Sequence, residues 1–159
     1  MGNPTKATQT TELVIDAINR SRKRAILATG WSGMAKPEKI PPNIFMVESI
    51  PHAWLFPRMS VVVHHGGAGT TAAGLRAGIP SVIIPHSNDQ FAWGKRVYEL
   101  GVGAKPIPRK QLTAEKLATA ISYALKEEVK VQAKTLGAKI RQEKGAEVAA
   151  RLISDRLTQ

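Results

Sequence analysis

The chain has 159 residues, 43% hydrophobic and 22% charged, the composition of one globular domain with enough apolar side chain to bury a core. It has no cysteine, which excludes a disulfide framework and a thiolate metal site. The net charge is +11, but the basic residues are spread along the chain, the tightest cluster being Arg20, Arg22, Lys23 and Arg24, and aromatics are only 5%. That pattern argues against nucleic acid, which needs a concentrated basic face and stacking platforms, and leaves an anionic small ligand, an anionic membrane surface or an acidic partner domain. No apolar run reaches the roughly 20 residues that span a bilayer, and the polar stretch from Met1 to Glu12 lacks a signal-peptide core, so a cytoplasmic location is expected.

Residues 8–20 read as a helix with Leu13, Ile15, Ala17 and Ile18 on its apolar face. A short apolar run at 25–28 reads as a buried strand, stopped by the turn-rich Thr29-Gly30-Trp31-Ser32-Gly33. After a proline-rich connection comes a second strand at 44–47, and Pro51 and Pro57 bracket a segment too short for more than one helical turn. Val61-Val62-Val63 is the clearest strand; it enters His64-His65-Gly66-Gly67-Ala68-Gly69-Thr70-Thr71, followed by a helix that Gly78 and Pro80 close near Ala77. Strands are expected at 82–84 and 102–104, with a helix at 90–100 between them. Thr113 caps a helix to about Leu125, and the rest of the chain to Leu157 reads as amphipathic helix. Short continuous apolar strands alternating with helices are the pattern of a doubly wound parallel α/β sheet, Rossmann-like, buried on both faces. Such a domain usually opens on a strand, whereas this chain opens on a polar stretch and a helix, so a first strand is expected to be missing upstream.

The glycines sit where a strand turns into a helix. There the backbone N–H groups can approach phosphate oxygens without a Cβ in the way, and the helix start adds unpaired N–H groups and about half a positive charge. Thr70 and Thr71 add hydroxyls, and no carboxylate lies within the turn to ligate a metal. A nucleotide diphosphate is the ligand this chemistry fits, without a bound metal. Gly67-Ala68-Gly69-Thr70-Thr71-Ala72 with Asp89 some way on also satisfies a dinucleotide fingerprint, which keeps an NAD(P)-binding oxidoreductase module as the alternative. Against it, the turn follows a late strand, and paired histidines have no role in that scheme. His64 and His65 point to opposite faces of the strand, and His65 is the one expected to face the ligand.

The blocks H-H-G-G-A-G-T-T, G-I-P, P-H-S-N-D-Q and T-A-E-K-L-A-T-A-I, with I-P-H-A-W-L-F-P ahead of them, resemble the donor-binding C-terminal half of GT-B glycosyltransferases. The likeness is to the sterol-type and antibiotic-type members of the UDP-glycosyltransferase superfamily, and it covers essentially the whole chain. The resemblance implies an inverting, metal-independent hexosyl transfer to a lipid or natural-product hydroxyl, from a UDP-sugar or TDP-sugar, with UDP-glucose favoured. The nucleotide sugar is a substrate, and no cofactor is expected. His65 would contact the diphosphate, with Gly66, Gly67, Gly69, Thr70 and Thr71 around it. His52, in the loop from Ser49, would border the base, and Asp89 and Gln90 would hydrogen-bond the transferred sugar. The position of a ribose-binding glutamate in plant-type relatives is Ala73 here, and Ser49 stands where many relatives stack a tryptophan on the base. Trp54 is read as a core anchor, and Trp93 as either core or a wall of the sugar site.

The general base and the acceptor pocket of such enzymes belong to a separate N-terminal domain. The chain is therefore expected to be a single donor-binding domain over 1–159, inactive without an acceptor domain or subunit. A non-catalytic nucleotide-binding subunit is a third class. The C-terminal stripe of Ile140, Ala146, Ala149, Ala150, Ile153 and Leu157 is read as packing either on its own sheet or toward that other domain, and the basic residues as compatible with peripheral membrane association.

Overall fold

The structure, a computed structural model, describes residues 4–29, 37 and 39–157. Residues 30–33 of the turn-rich loop lie outside the described residues. Helix α1 spans Pro4–Ser21, starting earlier than its apolar periodicity because proline at a first helical position gives up an N–H that has no partner anyway. Strands β1 (Ala25–Ala28) and β2 (Ile44–Val47) pair in parallel, Ala25 opposite Ile44. Strands β3 (Val62–His64) and β4 (Ser81–Ile83) form a second parallel ladder, Val62 opposite Ser81 and His64 opposite Ile83.

Between them run α2 (His52–Leu55), prolonged by a 3-10 turn at Phe56–Arg58, and α3 (Ala68–Ala77). After β4 come α4 (Asp89–Glu99), a 3-10 turn at Arg109–Gln111, α5 (Ala114–Ala124), α6 (Glu127–Gln142) and α7 (Gly145–Leu157). Thr113 caps α5, its hydroxyl accepting from the Lys116 N–H at 3.2 Å.

The period-2 geometry of a strand divides β4 between two cores. Val82 and Ile84 face α1 and α5, packing with Ala17, Leu117, Ile121 and Ala124. Ile83 faces the opposite way, onto Val97 of α4 and Ala133 of α6. Both faces of β4 are thus covered, as its unbroken apolar run requires. Helix α1 spans the two ladders: Val14 packs both with the cluster around Val82 and with the one formed by Ile18, Leu27 and Ile44. Within the described residues β1 and β3 are not hydrogen-bonded to each other, so α1 rather than a continuous ladder joins the halves.

Three expectations are corrected. Residues 102–104 form only one parallel bridge, Ser81 to Gly103. The hydrogen bonds Ser81 N–H to Val102 O and Ala104 N–H to Ser81 O make that bridge, and the next bond between the segments is Ile107 N–H to Ile83 O, past Pro106, which has no N–H, so the segment leaves the even spacing of a parallel ladder. Trp54 is no core anchor: it is 53% exposed, with the Arg58 guanidinium 4.3 Å above its ring. The C-terminal helix breaks at residues 143–144, and α7 beyond it has no buried residue, so it does not pack on its own sheet.

Candidate nucleotide-binding site

Parallel pairing brings the carboxyl ends of β3 and β4 together, tied by the Ile84 N–H to His64 O bond at 2.9 Å. Each strand then turns into a helix, β3 through Gly66-Gly67 into α3 and β4 through His86-Ser87-Asn88 into α4. Two helix N-termini therefore open on one edge, the arrangement in which α/β sheets take their ligands.

The turn after β3 is held by His64. Its Nδ1 accepts the Gly66 N–H at 3.1 Å, which leaves the imidazole proton on Nε2, a buried atom with no partner among the described residues. Burial, and then the charges of His65 and His52, push the His64 pKa down to about 4, so the ring is neutral and remains an acceptor at physiological pH. Gly66 has φ +92°, and a Cβ there would stand 2.6 Å from Ile83 Cγ2 and 3.2 Å from the Gln90 carbonyl oxygen. Only glycine fits both the left-handed backbone and the approach to α4. The Gly66 amide is spent inside the turn, so Gly66 shapes the site and does not donate to a ligand.

His65 is exposed, and its ring lies over Gly67, where a Cβ would stand 2.6 Å from Nε2. Gly67 caps α3, and the first intrahelical bond runs from the Thr71 N–H to its carbonyl at 2.9 Å. The amides of Ala68, Gly69 and Thr70 precede that bond and remain available, and nothing lies within 4 Å of where a Gly69 Cβ would be. Thr70 is half-buried, with its side chain at the helix start. Thr71 differs: it is 1% exposed, and its hydroxyl donates back to Gly67 O at 3.0 Å. Thr71 braces the helix start and is not a ligand donor.

At the second turn, Asn88 holds φ +50°, a strained conformation for a residue with a Cβ, costing on the order of 1–3 kcal/mol. Asp89 Oδ2 accepts from Trp93 Nε1 at 3.2 Å, so Trp93 orients this carboxylate from one turn along the helix. Gln90 Oε1 accepts from the His86 N–H at 2.8 Å and the Ser87 N–H at 3.4 Å; its amide nitrogen keeps two donors. His52 opens α2, stacked on Phe56 with ring centres 4.5 Å apart and near enough to His64 to oppose its protonation. The loop therefore brings His52 close to His64, the residue that holds the glycine turn. Among the described residues, no three His, Asp or Glu side chains are grouped to hold a metal ion. Sequence alone did not show that His64 clasps the Gly66 N–H, that Gln90 clasps the His86 loop, or that Arg109 stands beside His86; a histidine two positions before a glycine in a turn is the one signal for the first.

A parallel α/β edge carrying a glycine-rich turn, two helix N-termini and an outward imidazole defines a nucleotide-binding domain of the doubly wound class. The comparisons narrow this. Residues 12–158 match the family model described as the erythromycin biosynthesis protein CIII-like C-terminal domain, and the chain belongs to that family, a C-terminal domain of the UDP-glycosyltransferase superfamily. It is 45% identical over 142 residues to a sterol 3-beta-glucosyltransferase of Arabidopsis thaliana, covering 89% of this chain and 23% of that protein. A sterol 3-beta-glucosyltransferase of Aspergillus clavatus is 43% identical over 151 residues, covering 90% of this chain and 10% of that one. The crystal structure of the kitacinnamycin glycosyltransferase superposes with a TM-score of 0.79 at 27% identity, over 91% of this chain and 38% of that one. The chain thus spans less than a quarter of the curated relatives it matches. The fold and family are those of the C-terminal half of a GT-B glycosyltransferase, and the oxidoreductase alternative gives way to that family.

Proposed function

We propose that this domain binds a UDP- or TDP-sugar, UDP-glucose being the favoured donor, with the diphosphate against His65 and the amides of Ala68, Gly69 and Thr70. The observation that carries this reading is the exposed His65 imidazole folded over Gly67 at the open start of α3. His52 borders the base, and Asp89 and Gln90 receive the sugar hydroxyls, the carboxylate accepting and the amide donating. In the transfer, a hydroxyl of a lipid or natural product attacks the anomeric carbon from the face opposite the nucleotide. Negative charge then grows on the departing diphosphate, where fixed N–H dipoles and His65 stabilise it. No metal is required in this scheme.

The base that deprotonates the acceptor comes from a separate acceptor-binding domain or subunit. Two features support a larger assembly: the ladders β1–β2 and β3–β4, not hydrogen-bonded to each other among the described residues and bridged by α1, and the exposed apolar residues of α7, Leu152, Ile153 and Leu157. No helix of the described residues is long and apolar enough to cross a membrane; access to a lipid acceptor would be from the membrane surface. Sugar transfer from UDP-glucose to a sterol, assayed with and without an added acceptor domain, tests the division of labour. Transfer only in its presence supports the proposal, and robust transfer by the single chain contradicts it.

A further inference from the structure

The chain has four histidines, and they lie near enough to act on one another: His65 and His52 on His64, and His65 on His86. His65 and His86 face each other on the turns after β3 and β4, their rings edge to face with centres 6.4 Å apart. Both side chains are exposed. A charge-assisted hydrogen bond from an imidazole to an oxygen spans about 2.8 Å, and both rings are exposed and free to turn, so rotation of their N–H edges toward the gap brings both within reach of one diphosphate.

The backbone of His86 is fixed by the Gln90 clasp, and the Arg109 N–H bonds Pro85 O at 3.0 Å, which sets Arg109 beside it. Arg109, on its 3-10 turn, and His65 act on His86, while His65 and His52 of α2 act on His64 of β3; Asp89 is the carboxylate at the start of α4. Asp89 is engaged by Trp93, and the Arg109 guanidinium also donates to Thr10 Oγ1 of α1. With no anion present, burial, then Arg109 and then His65 lower the His86 pKa. A diphosphate opposes that lowering, since an anion beside the ring favours the protonated form of His86.

We propose that His86 is a second diphosphate-binding residue, that it and His65 clamp the diphosphate between them, and that donor binding is coupled to proton uptake at His86. The inference rests on the donor-site reading above. It makes nucleotide-sugar affinity fall as pH rises through neutrality, with Arg109 adding a fixed charge behind His86.

Calorimetric titration with UDP-glucose tests it, because its diphosphate is a diester with no proton titrating near neutral pH. Titrations at pH 6.5 and 8.5, in buffers of different ionisation enthalpy, count the protons taken up. The unsubstituted chain is expected to take up a fraction of a proton at pH 6.5 and to bind several-fold more weakly at pH 8.5. His86→Asn should weaken binding about tenfold at pH 6.5, lower the uptake and flatten the pH dependence. His86→Lys should keep the affinity while flattening the pH dependence, since it supplies a charge that does not titrate there. His86→Asn binding as the unsubstituted chain does, with equal uptake, overturns the clamp and leaves the donor site standing. Absence of UDP-glucose binding by the folded unsubstituted chain overturns the donor-site reading and the clamp with it.

Discussion

The imidazole of His65 occupies the space a side chain at Gly67 would need: a Cβ on Gly67 would stand 2.6 Å from His65 Nε2. The second glycine of the turn is therefore a condition for the placement of the histidine, two residues away. Gly67→Ala should displace the ring from the start of α3 and weaken UDP binding about tenfold, with little change in melting temperature because Gly67 has φ −60°, which alanine adopts freely. Titration calorimetry beside a thermal melt checks this; unchanged affinity would detach His65 from the site.

His64 makes the turn pH-sensitive. Its native pKa of about 4 lies below the usual 6.5, so the unfolded chain binds more protons between these values. Its neutral form thus contributes stability that is present above about pH 6.5 and lost as pH falls toward 4, up to roughly 3 kcal/mol. Urea unfolding at pH 7, 5.5 and 4.5 should show this decline. His64→Asn, which keeps an acceptor for the Gly66 N–H but does not titrate, should lose less stability over the window. His64→Leu leaves that buried N–H unpaired and should cost about 1–3 kcal/mol at pH 7.

Trp54, exposed and touched by Arg58 alone among charged groups on its ring face, should matter little to folding. Trp54→Ala is expected to cost under about 1 kcal/mol, against the 3–5 kcal/mol typical of a core tryptophan. Chemical denaturation distinguishes the two.

Ending the chain after Lys144 removes α7, which has no buried residue. The melting temperature should move by less than about 3 °C, as a loss below 1 kcal/mol would in a domain of this size. A larger drop would mean that α7 packs on this domain.

Much of this architecture was legible in the residues. The short continuous apolar runs of the strands, the closure at Gly78 and the Thr113 cap are local signals, and local chemistry decides them. The strand at 102–104 misled because an apolar run says nothing of whether it stays in register with its neighbour, and here the pairing with β4 stops after one bridge. Trp54 misled because an apolar side chain between two prolines says nothing about which face is covered. At the site, the glycine turn and His65 could be read from spacing and resemblance. The commitments of Gly66 to His64 and of Thr71 to Gly67 could not, since they are choices among hydrogen-bond partners that appear only once the turn is folded.

The central claim is that His65 and the start of α3 hold a nucleotide diphosphate. Titration of the full chain with UDP, TDP and NAD without divalent metal, on the unsubstituted protein and on His65→Ala, tests it most directly. The account predicts binding of UDP or TDP that weakens about tenfold or more in His65→Ala, and no comparable binding of NAD. Tight NAD binding, or UDP and TDP binding indifferent to His65, would contradict it.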